Sequence, residues 1–313
     1  MERIATSIHV AREQYQFAWD NSIAPIASVP SGGVIEFDLL DASGGQLGPD
    51  STVESIGALD FARVDQVNGP IYVEGAEPGD TLQIELLDLQ PANWGWTAII
   101  PGFGLLADEF PEPAIKVWSL TDGWGEFKAG IRIPLDPFCG EIGLAPAAAG
   151  PHSTIPPYRH GGNMDTKHLT RGATLYLPVE VPGALYSMGD GHAAQGDGEV
   201  CGTAIETPMR ATVRLTVRKD LKVDEPQFIT AGPLTQRTNT GQWYAADGIA
   251  PDLREAAHKA IRHMIAHLQT HYGLSREEAY MLCSVAVDLK ISEIVDAPNW
   301  IVTAFLPLSI FAK

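Results

Sequence analysis

Two kinds of hydrophobic periodicity divide the chain. Up to about residue 245, glycine and proline interrupt the chain every 8–15 residues, and apolar and polar positions alternate between them. Successive side chains of a strand point to opposite faces, so this pattern predicts many short strands with one buried face each. The clearest candidates are residues 34–40, 81–89, 130–135, 173–181 and 211–218.

The period changes near residue 250. Apolar residues from Leu253 to Leu268 recur at steps of three and four, which predicts an amphipathic helix that Gly273 ends. Ser275 and Glu278 have the spacing of a capping box and open a second helix. Residues 300–306 (WIVTAFL) predict a final strand.

These elements predict a mainly β fold. We expect a sandwich- or barrel-like body of many short strands over residues 1–245, and a smaller α+β part with two helices over residues 246–313. Residues 94–104 and 145–162 are rich in glycine and proline, so we expect loops there. Long loops on a rigid scaffold are frequent places for functional sites.

Charge and cysteine content narrow the function classes. The chain has 313 residues, 39 acidic and 21 basic, for a net charge of −18. Such a field repels phosphate backbones and anionic lipids, which excludes nucleic-acid and membrane-surface partners. Three widely spaced cysteines indicate reduced thiols, and the start MERIATSIHV lacks the apolar core of a signal peptide. We therefore expect a soluble cytoplasmic protein.

The densest group of chemistry-bearing residues is SMGDGHAAQGDGEVCGTAIE, residues 187–206. Asp190 and His192, and likewise Asp197 and Glu199, have the i, i+2 spacing that places two side chains on one side of an extended backbone. Carboxylates with one imidazole suit Zn²⁺, Mn²⁺, Mg²⁺ or Ca²⁺. A glycine-rich turn with solvated acids is the alternative.

Three other groups favour structural roles. The segment GGNMD, with Asn163 and Asp165, is typical of an Asx-turn. The histidines at 263, 267 and 271 share a helix face beside the apolar stripe, which favours a solvated flank. Cys201 is interpreted as a small buried residue of a strand, with a nucleophilic role left open. The motifs of serine hydrolases, P-loop NTPases, dinucleotide-binding proteins and HExxH metalloproteases are absent from the sequence.

Along its whole length the sequence resembles the acetamidase/formamidase family of short-chain amide hydrolases. The segments that carry the resemblance are WDNSIAPIASVPSG, DASGGQLGPDSTVE, NGPIYVEGAEPGDTL, WGWTAIIPGFGLLADEFPEP, GGNMDTKHL, GDGHAAQGDGEVCGTAIE and EEAYMLCSVAVDLKISEIVDAPNW. The string HAAQGDGE is the most specific of them. The resemblance implies a homo-oligomeric cytoplasmic enzyme, a dimer or larger, that hydrolyses formamide or acetamide and carries a divalent metal.

Site residues follow from matching motifs. The resemblance places Asp190, His192 and Glu199 in the active site, with Asp165, Glu74 and Asp20 as neighbours. From it we expect a metal, with Zn²⁺ favoured and Ca²⁺, Mn²⁺ or Mg²⁺ as alternatives, held by Asp190, His192, Asp165 and Asp20. Glu199 would act as general base, with His192 and Glu74 as further catalytic residues. Substrate would contact Trp94, Trp96, Phe103 and Asn163.

Two rival hypotheses stay open. One is metal-independent acyl transfer through Cys201, assisted by Glu74 and Lys167. The other is a non-enzymatic β-sandwich binding module that Ca²⁺ stabilises. Glu141 also departs from the expected pattern, because we expect an apolar residue there and a buried carboxyl needs a partner.

Overall fold

The structure is a computed structural model that describes residues 8–232, 234 and 241–312. The first seven residues, on which the expectation about a signal peptide partly rests, lie outside the described residues. The strands are β1 (Ile8–Val10), β2 (Tyr15–Gln16), β3 (Ala27–Val29), β4 (Gly33–Leu39), β5 (Val67–Val73), β6 (Thr81–Pro91), β7 (Trp94–Ile99), β8 (Ala114–Thr121), β9 (Trp124–Lys128), β10 (Ile131–Pro134), β11 (Phe138–Gly143), β12 (Pro157–Tyr158), β13 (Gly161–Asn163), β14 (Thr174–Pro178), β15 (Tyr186–His192), β16 (Met209–Arg218), β17 (Gln227–Ile229), β18 (Trp243–Ala250), β19 (Asp288–Glu293) and β20 (Trp300–Pro307). The helices are α1 (Val53–Gly57), α2 (Leu253–Tyr272) and α3 (Arg276–Ala286).

Two open sheets pack face to face and form the body. One has the order β1-β4-β16-β6-β14-β17, and the other has the order β12-β13-β11-β15-β5-β2 with β3 parallel to β5. Apolar side chains from both sheets, among them Phe37 and Val213 from one and Ile71 and Met188 from the other, form a single buried cluster. The prediction of a mainly β, sandwich-like body is therefore confirmed, and each of the five candidate strands forms.

The expectation of loops was wrong for part of residues 94–104. Residues 94–99 form β7, which pairs antiparallel with β8 in a four-stranded sheet of order β10-β9-β8-β7. Gly95 does not break this strand. A Cβ atom at Gly95 would lie 2.6 Å from the carbonyl oxygen of Glu206, so glycine here allows a second chain segment to approach closely.

The strand expected around Cys201 does not form. Gly202 has a φ of 90°, and the amide of Cys201 donates to Oγ of Ser284 on α3 over 3.1 Å. The amide of Cys201 therefore pairs with a side chain of α3 and not with a neighbouring strand, and the segment is irregular at this point.

The C-terminal elements form as predicted. α2 begins after Asp252, whose side chain accepts from the amide of Glu255, and ends at Gly273 with a φ of 64°. The predicted capping box of Ser275 and Glu278 opens α3. These helices cover one face of a three-stranded sheet of order β18-β20-β19.

The C-terminal part shares a core with the body. Ile99 and Ile205 of the body pack in one buried cluster with Met264 of α2 and Leu282 of α3. The expected boundary after residue 245 falls inside β18. Among the described residues, no helix has the length and apolar character needed to cross a bilayer.

Candidate active site

The site is built around the end of β15. This strand pairs antiparallel with β11, with Phe138 opposite His192 and Cys139 opposite Gly191. Asp190 and His192 lie two residues apart on β15, and Oδ2 of Asp190 is 3.0 Å from Nε2 of His192. The ring of Phe138 meets the imidazole edge to face, with 4.9 Å between centroids. The i, i+2 spacing therefore brings these two polar side chains together as expected.

Glu206 completes this group from another segment. It forms isolated antiparallel bridges with His192 and with Trp96. Its Oε2 lies 3.1 Å from Nε2 of His192, while its Oε1 accepts from the amide of Ala204 over 2.7 Å. Two carboxylates thus converge on one imidazole nitrogen.

Gln195 fixes which nitrogen of His192 carries a hydrogen. The side-chain nitrogen of Gln195 donates to the carbonyl oxygen of Asp165 over 2.8 Å. Its Oε1 therefore faces Nδ1 of His192, 2.9 Å away, and accepts from Nδ1–H. In the neutral form of the imidazole, which is the form that binds a cation, this contact leaves the Nε2 lone pair directed toward Asp190 and Glu206.

Two further carboxylates extend the group. Asp165 follows β13, and its Oδ1 lies 4.0 Å from Nδ1 of His192. Oε1 of Glu199 lies 3.9 Å from Nε2 of His192. Single ligand-type atoms of Asp165, His192 and Glu199, and likewise of Asp190, His192 and Glu206, lie within 4.8 Å of one another.

The backbone is strained at the acids of this region. Asp65, Asp165, Asp190 and Glu199 have φ values of 50°, 46°, 54° and 42°. Such conformations cost about 1–3 kcal/mol each in non-glycine residues and gather at functional sites. Four strained carboxylates in one region mark it as a candidate functional site.

The pKa values of His192 and of the carboxyl groups around it are shifted from their usual values. Burial disfavours a charged His192, but the charges of Asp190 and Glu206 outweigh it and raise its pKa well above the usual value. Burial raises the pKa of Asp165 to about 6 and that of Glu206 to about 8. Burial and the charge of Asp165 raise the pKa of Glu199 well above its usual range. Burial acts in the same direction on Asp190, but the charge of His192 and the side-chain contacts with His192 and Glu206 together outweigh it and lower the pKa.

The donor set fits a divalent cation. Nε2 of His192, Oε2 of Glu206, Oδ1 of Asp190 and Oδ1 of Asp165 are buried, and within the described ranges none of them has a hydrogen-bond partner. Nε2 therefore approaches the carboxylates closely without the direction of a hydrogen bond. Buried orphan atoms of this kind are costly unless an ion or water satisfies them, and one nitrogen with several carboxylate oxygens is a common set for Zn²⁺ or Mn²⁺.

A cavity of about 370 Å³ opens onto these carboxylates. Asp165, Asp190, Glu199 and Glu206 line it together with Asp65, Asn163 and apolar side chains. Of the residues expected to contact substrate, Trp96, Phe103 and Asn163 line this cavity. The indole nitrogen of Trp96 donates to Oδ2 of the buried Asp41 over 2.8 Å, which fixes the ring.

Lys167 forms ion pairs with Asp197 and Asp288, and this group of three is called the clamp below. Nζ of the buried Lys167 contacts Oδ1 of Asp288 and lies 3.2 Å from Oδ2 of Asp197. The amide of Asp197 also donates to Asp288 over 3.1 Å. Lys167 is two residues from Asp165, and Asp197 is two residues from Glu199, so the clamp ties both segments of the candidate site to the start of β19.

Glu141 is a buried carboxyl without a partner. It lies on β11, opposite Gly189 of β15 and Asn163 of β13. It is fully buried, and in the described part of the chain neither of its oxygens has a hydrogen-bond partner. Burial and the charge of Asp65 raise its pKa well above the usual value, which keeps it neutral.

Other expected site residues lie elsewhere. Glu74 is exposed just after β5 and accepts from Oγ of Ser28. Asp20 accepts from the amide of Ser22 over 2.8 Å, as in an Asx-turn. Trp94 is half-buried, its carbonyl accepts from Thr207, and it is outside the cavity lining. The structure does not bring these three side chains into the cluster, because each is held at a different place on the sheets.

Cys201 does not face the cavity. Its sulfur is fully buried, 3.4 Å from the carbonyl oxygen of Ala98 and 3.5 Å from Oγ1 of Thr203. Burial raises the pKa of this thiol, so the thiolate is disfavoured. Lys167, one of the two assisting groups of that hypothesis, is bound in its clamp.

Sequence reasoning missed Glu206, Gln195 and Asp65. Glu206 stood inside the segment singled out, but it is fourteen residues from His192 and reaches it through a bridge that periodicity does not reveal. Gln195 follows His192 by three residues, a spacing with no meaning on an extended strand. The left-handed backbone of Asp65 gives no signal in the sequence.

Comparisons with known proteins identify the family of the chain. The Acetamidase/Formamidase family matches residues 4–153 and 147–313. A formamidase from Methylophilus methylotrophus is 29% identical, over 94% of this chain and 88% of that protein. Among solved structures, a gamma lactamase from Delftia acidovorans has a TM-score of 0.88 at 26% identity, covering 96% of this chain and 90% of that one. An acetamidase from Bacillus halodurans has a TM-score of 0.69 at 35% identity, covering 96% and 97%. The chain therefore belongs to the acetamidase/formamidase family, and it is a hydrolase of linear amides.

Proposed function

We propose that this chain hydrolyses primary amides such as formamide and acetamide to ammonia and a carboxylate, with a divalent cation in the His192 cluster. The observation that carries the proposal is the convergence of Asp190 and Glu206 on Nε2 of His192 beside the cavity. The relatives named formamidase and acetamidase support the substrate class. Zn²⁺ is the cation we favour, with Ca²⁺, Mn²⁺ and Mg²⁺ as alternatives.

His192, Asp190 and Glu206 would hold the cation, with Asp165 beside them. A divalent cation bound there would lower the pKa of a water molecule, to about 7 in favourable cases, and would polarise the amide carbonyl. The chain prepares this set by fixing the imidazole. Gln195 holds Nδ1–H, so Nε2 keeps its direction.

Glu199 is the proton carrier of this mechanism. It lines the cavity, and burial raises its pKa above that of a free carboxyl, which suits a group that both accepts and returns a proton. It takes the proton of the attacking water and delivers it to the leaving nitrogen. An amide nitrogen departs only when protonated, so the same carboxyl serves both steps.

Asn163 orients the substrate. Its side-chain nitrogen donates to the carbonyl of Ile155 over 3.0 Å, which turns Oδ1 the other way. That oxygen is buried without a partner in the described structure, and Asn163 lines the cavity. It is placed to accept a hydrogen bond from the NH₂ group of a primary amide.

We further expect a homo-oligomer, a dimer or larger, in the cytoplasm. The resemblance of the sequence supports the first expectation. The three cysteines are buried and free, as in a reducing compartment. Of the two rivals, acyl transfer through Cys201 lacks an accessible thiol, and family membership disfavours a non-enzymatic binding module.

The test measures ammonia released from formamide, acetamide and propionamide by the purified protein. Asp190→Asn and Glu199→Gln keep the side-chain shape and remove the charge, so each is expected to lower kcat by about 10²-fold or more. Asp50→Asn removes a charge from an exposed residue and serves as the control. Ammonia from none of the amides, or full turnover by folded Asp190→Asn and Glu199→Gln proteins, would refute the proposal.

A further inference from the structure

We infer that the cavity binds primary amides with a large apolar acyl group, aromatic or branched, and that these are better substrates than acetamide. This inference rests on the proposed amide hydrolysis and names its substrate class. It is carried by the size of the cavity, the chemistry of its walls and the side chains at its mouth.

The cavity is too large for the smallest amides. Its volume of about 370 Å³ falls in the range of roughly 300–1,000 Å³ that is usual for drug-sized ligands. A water molecule occupies about 30 Å³ in the liquid. Formamide has three heavy atoms and acetamide four, so either would leave most of this space to water.

The walls away from the carboxylates are apolar. Leu59, Trp96 and Ile100 line the cavity and pack together in one apolar cluster. Met164 and Val64 also line it. Water held against such walls makes few hydrogen bonds, and an apolar group that displaces it gains free energy in proportion to the area buried.

Large apolar side chains also surround the mouth. Phe61, Phe103 and Ile155 line the cavity, yet they are 56%, 44% and 39% exposed. They come from three separate segments of the chain. Exposed apolar side chains gathered at one opening mark a ligand-binding surface more often than scattered ones do.

The position of the cluster sets the orientation of the substrate. The reacting carbonyl must reach the carboxylates of Asp190, Glu199 and Glu206, where water is activated. The proposed function assigns the NH₂ group to Oδ1 of Asn163, which has no hydrogen-bond partner among the described residues. The acyl group of the substrate is then left to contact the apolar walls of the cavity.

The experiment compares kcat/KM for acetamide, butyramide, 3-hydroxypropanamide, phenylacetamide and acetanilide in the purified, metal-loaded protein. Butyramide and 3-hydroxypropanamide have the same number of heavy atoms and differ by a methyl against a hydroxyl. We expect butyramide to be preferred over 3-hydroxypropanamide, and phenylacetamide to exceed acetamide by about tenfold or more. Acetanilide, an isomer of phenylacetamide with the ring on nitrogen, is expected to react poorly.

Two substitutions test whether the apolar side chains at the mouth cause this substrate preference. Phe61→Ala is expected to lower the ratio of kcat/KM for phenylacetamide over acetamide by about tenfold. Phe228→Ala is the matched control, because Phe228 is 40% exposed on β17 and does not line the cavity. If the side chains at the mouth served only to bind another protein chain, Phe61→Ala would change the mass in solution and leave this ratio unchanged.

The outcomes separate this inference from the proposed function. Acetamide turnover with phenylacetamide inert would overturn the inference and leave amide hydrolysis standing. Preference for acetanilide would overturn the orientation of the acyl group. Ammonia from no amide at all would overturn the proposed function itself.

Discussion

Gly140 leaves the space that the carboxylate of Asp190 occupies. A Cβ atom at Gly140 would lie 2.2 Å from Oδ2 of Asp190 and 2.5 Å from Oδ1 of Asp165. The amides of Met164 and Asp165 donate to the carbonyl of Gly140. Gly140 therefore holds the Asp165 segment through its backbone and admits both carboxylates by having no side chain.

Gly140→Ala is expected to displace Asp190 and Asp165 from the cluster. A misplacement of about 1 Å in a catalytic group lowers the rate by about 10²-fold. The variant is predicted to lose about that factor in kcat for acetamide and to bind Zn²⁺ more weakly, as measured by ammonia release and by metal titration. Gly48→Ala is the control, because no atom of the described residues lies within 4 Å of a Cβ there. Normal kcat in folded Gly140→Ala would contradict the account.

Lys167→Met is expected to loosen the clamp. Removing one partner of a buried ion pair costs about 3–5 kcal/mol, because the remaining charge is left unpaired. Lys167 is buried with Asp288, so urea unfolding is predicted to show a loss of that size. Lys219→Met breaks an exposed pair with Asp80 and is predicted to cost about 0–1 kcal/mol. Equal losses in the two variants would show that the clamp has no special role.

Much of the fold was predictable because local patterns determine it. The period of α2, the αL position of Gly273 and the capping box of Ser275 are local signals, and all three were predicted correctly. The strand of residues 94–99 was not predicted, because the glycine and proline content of residues 94–104 indicated a loop, and Gly95 is one of those glycines. Its actual role is to let Glu206 approach, and that depends on a segment more than a hundred residues away.

Part of the candidate site was likewise predictable from local spacing in the sequence. Asp190 and His192 are neighbours on one strand, so their spacing was informative. Glu206 reaches His192 only through a bridge between distant segments. Glu74 and Asp20 were assigned by motif alone, and motifs do not say which side chains point into a cavity.

Glu141→Gln is expected to change how stability depends on pH. The pKa of Glu141 in the folded protein is raised well above the value of about 4.3 in the unfolded chain. Between those two values the unfolded state releases a proton that the folded state keeps, so unfolding becomes easier as pH rises, by up to about 1.4 kcal/mol per pH unit. Glutamine does not titrate and removes this contribution.

Thermal unfolding of the metal-free protein from pH 5 to pH 8 measures the contribution of Glu141 to the pH dependence of stability. The wild type is predicted to lose more stability over this range than Glu141→Gln. Glu112→Gln, an exposed site, is the control and should follow the wild type. Parallel profiles for the wild type and Glu141→Gln would show that Glu141 is already ionised when folded.

Cys201→Ala is expected to leave amide hydrolysis intact. The sulfur is buried against Ala98 and Thr203, so the variant loses packing and is predicted to be less stable by about 1–2 kcal/mol. Turnover of acetamide should stay within about twofold of the wild type, since the thiol does not touch the site. An acyl adduct on Cys201 in the intact mass of the wild type, absent in the variant, would favour the acyl-transfer mechanism.

In the proposed mechanism, a cation in the His192 cluster activates the water molecule that attacks the amide. The most direct measurement is ammonia release from acetamide after dialysis against a strong chelator, with the metal content determined. Zn²⁺, Mn²⁺, Mg²⁺ and Ca²⁺ are then added back one at a time to the wild type and to Glu206→Gln. We expect that turnover falls with the metal content, returns in the wild type with one of these ions, and does not return at the same concentration in Glu206→Gln. Full turnover by metal-free wild-type protein would contradict the proposed mechanism.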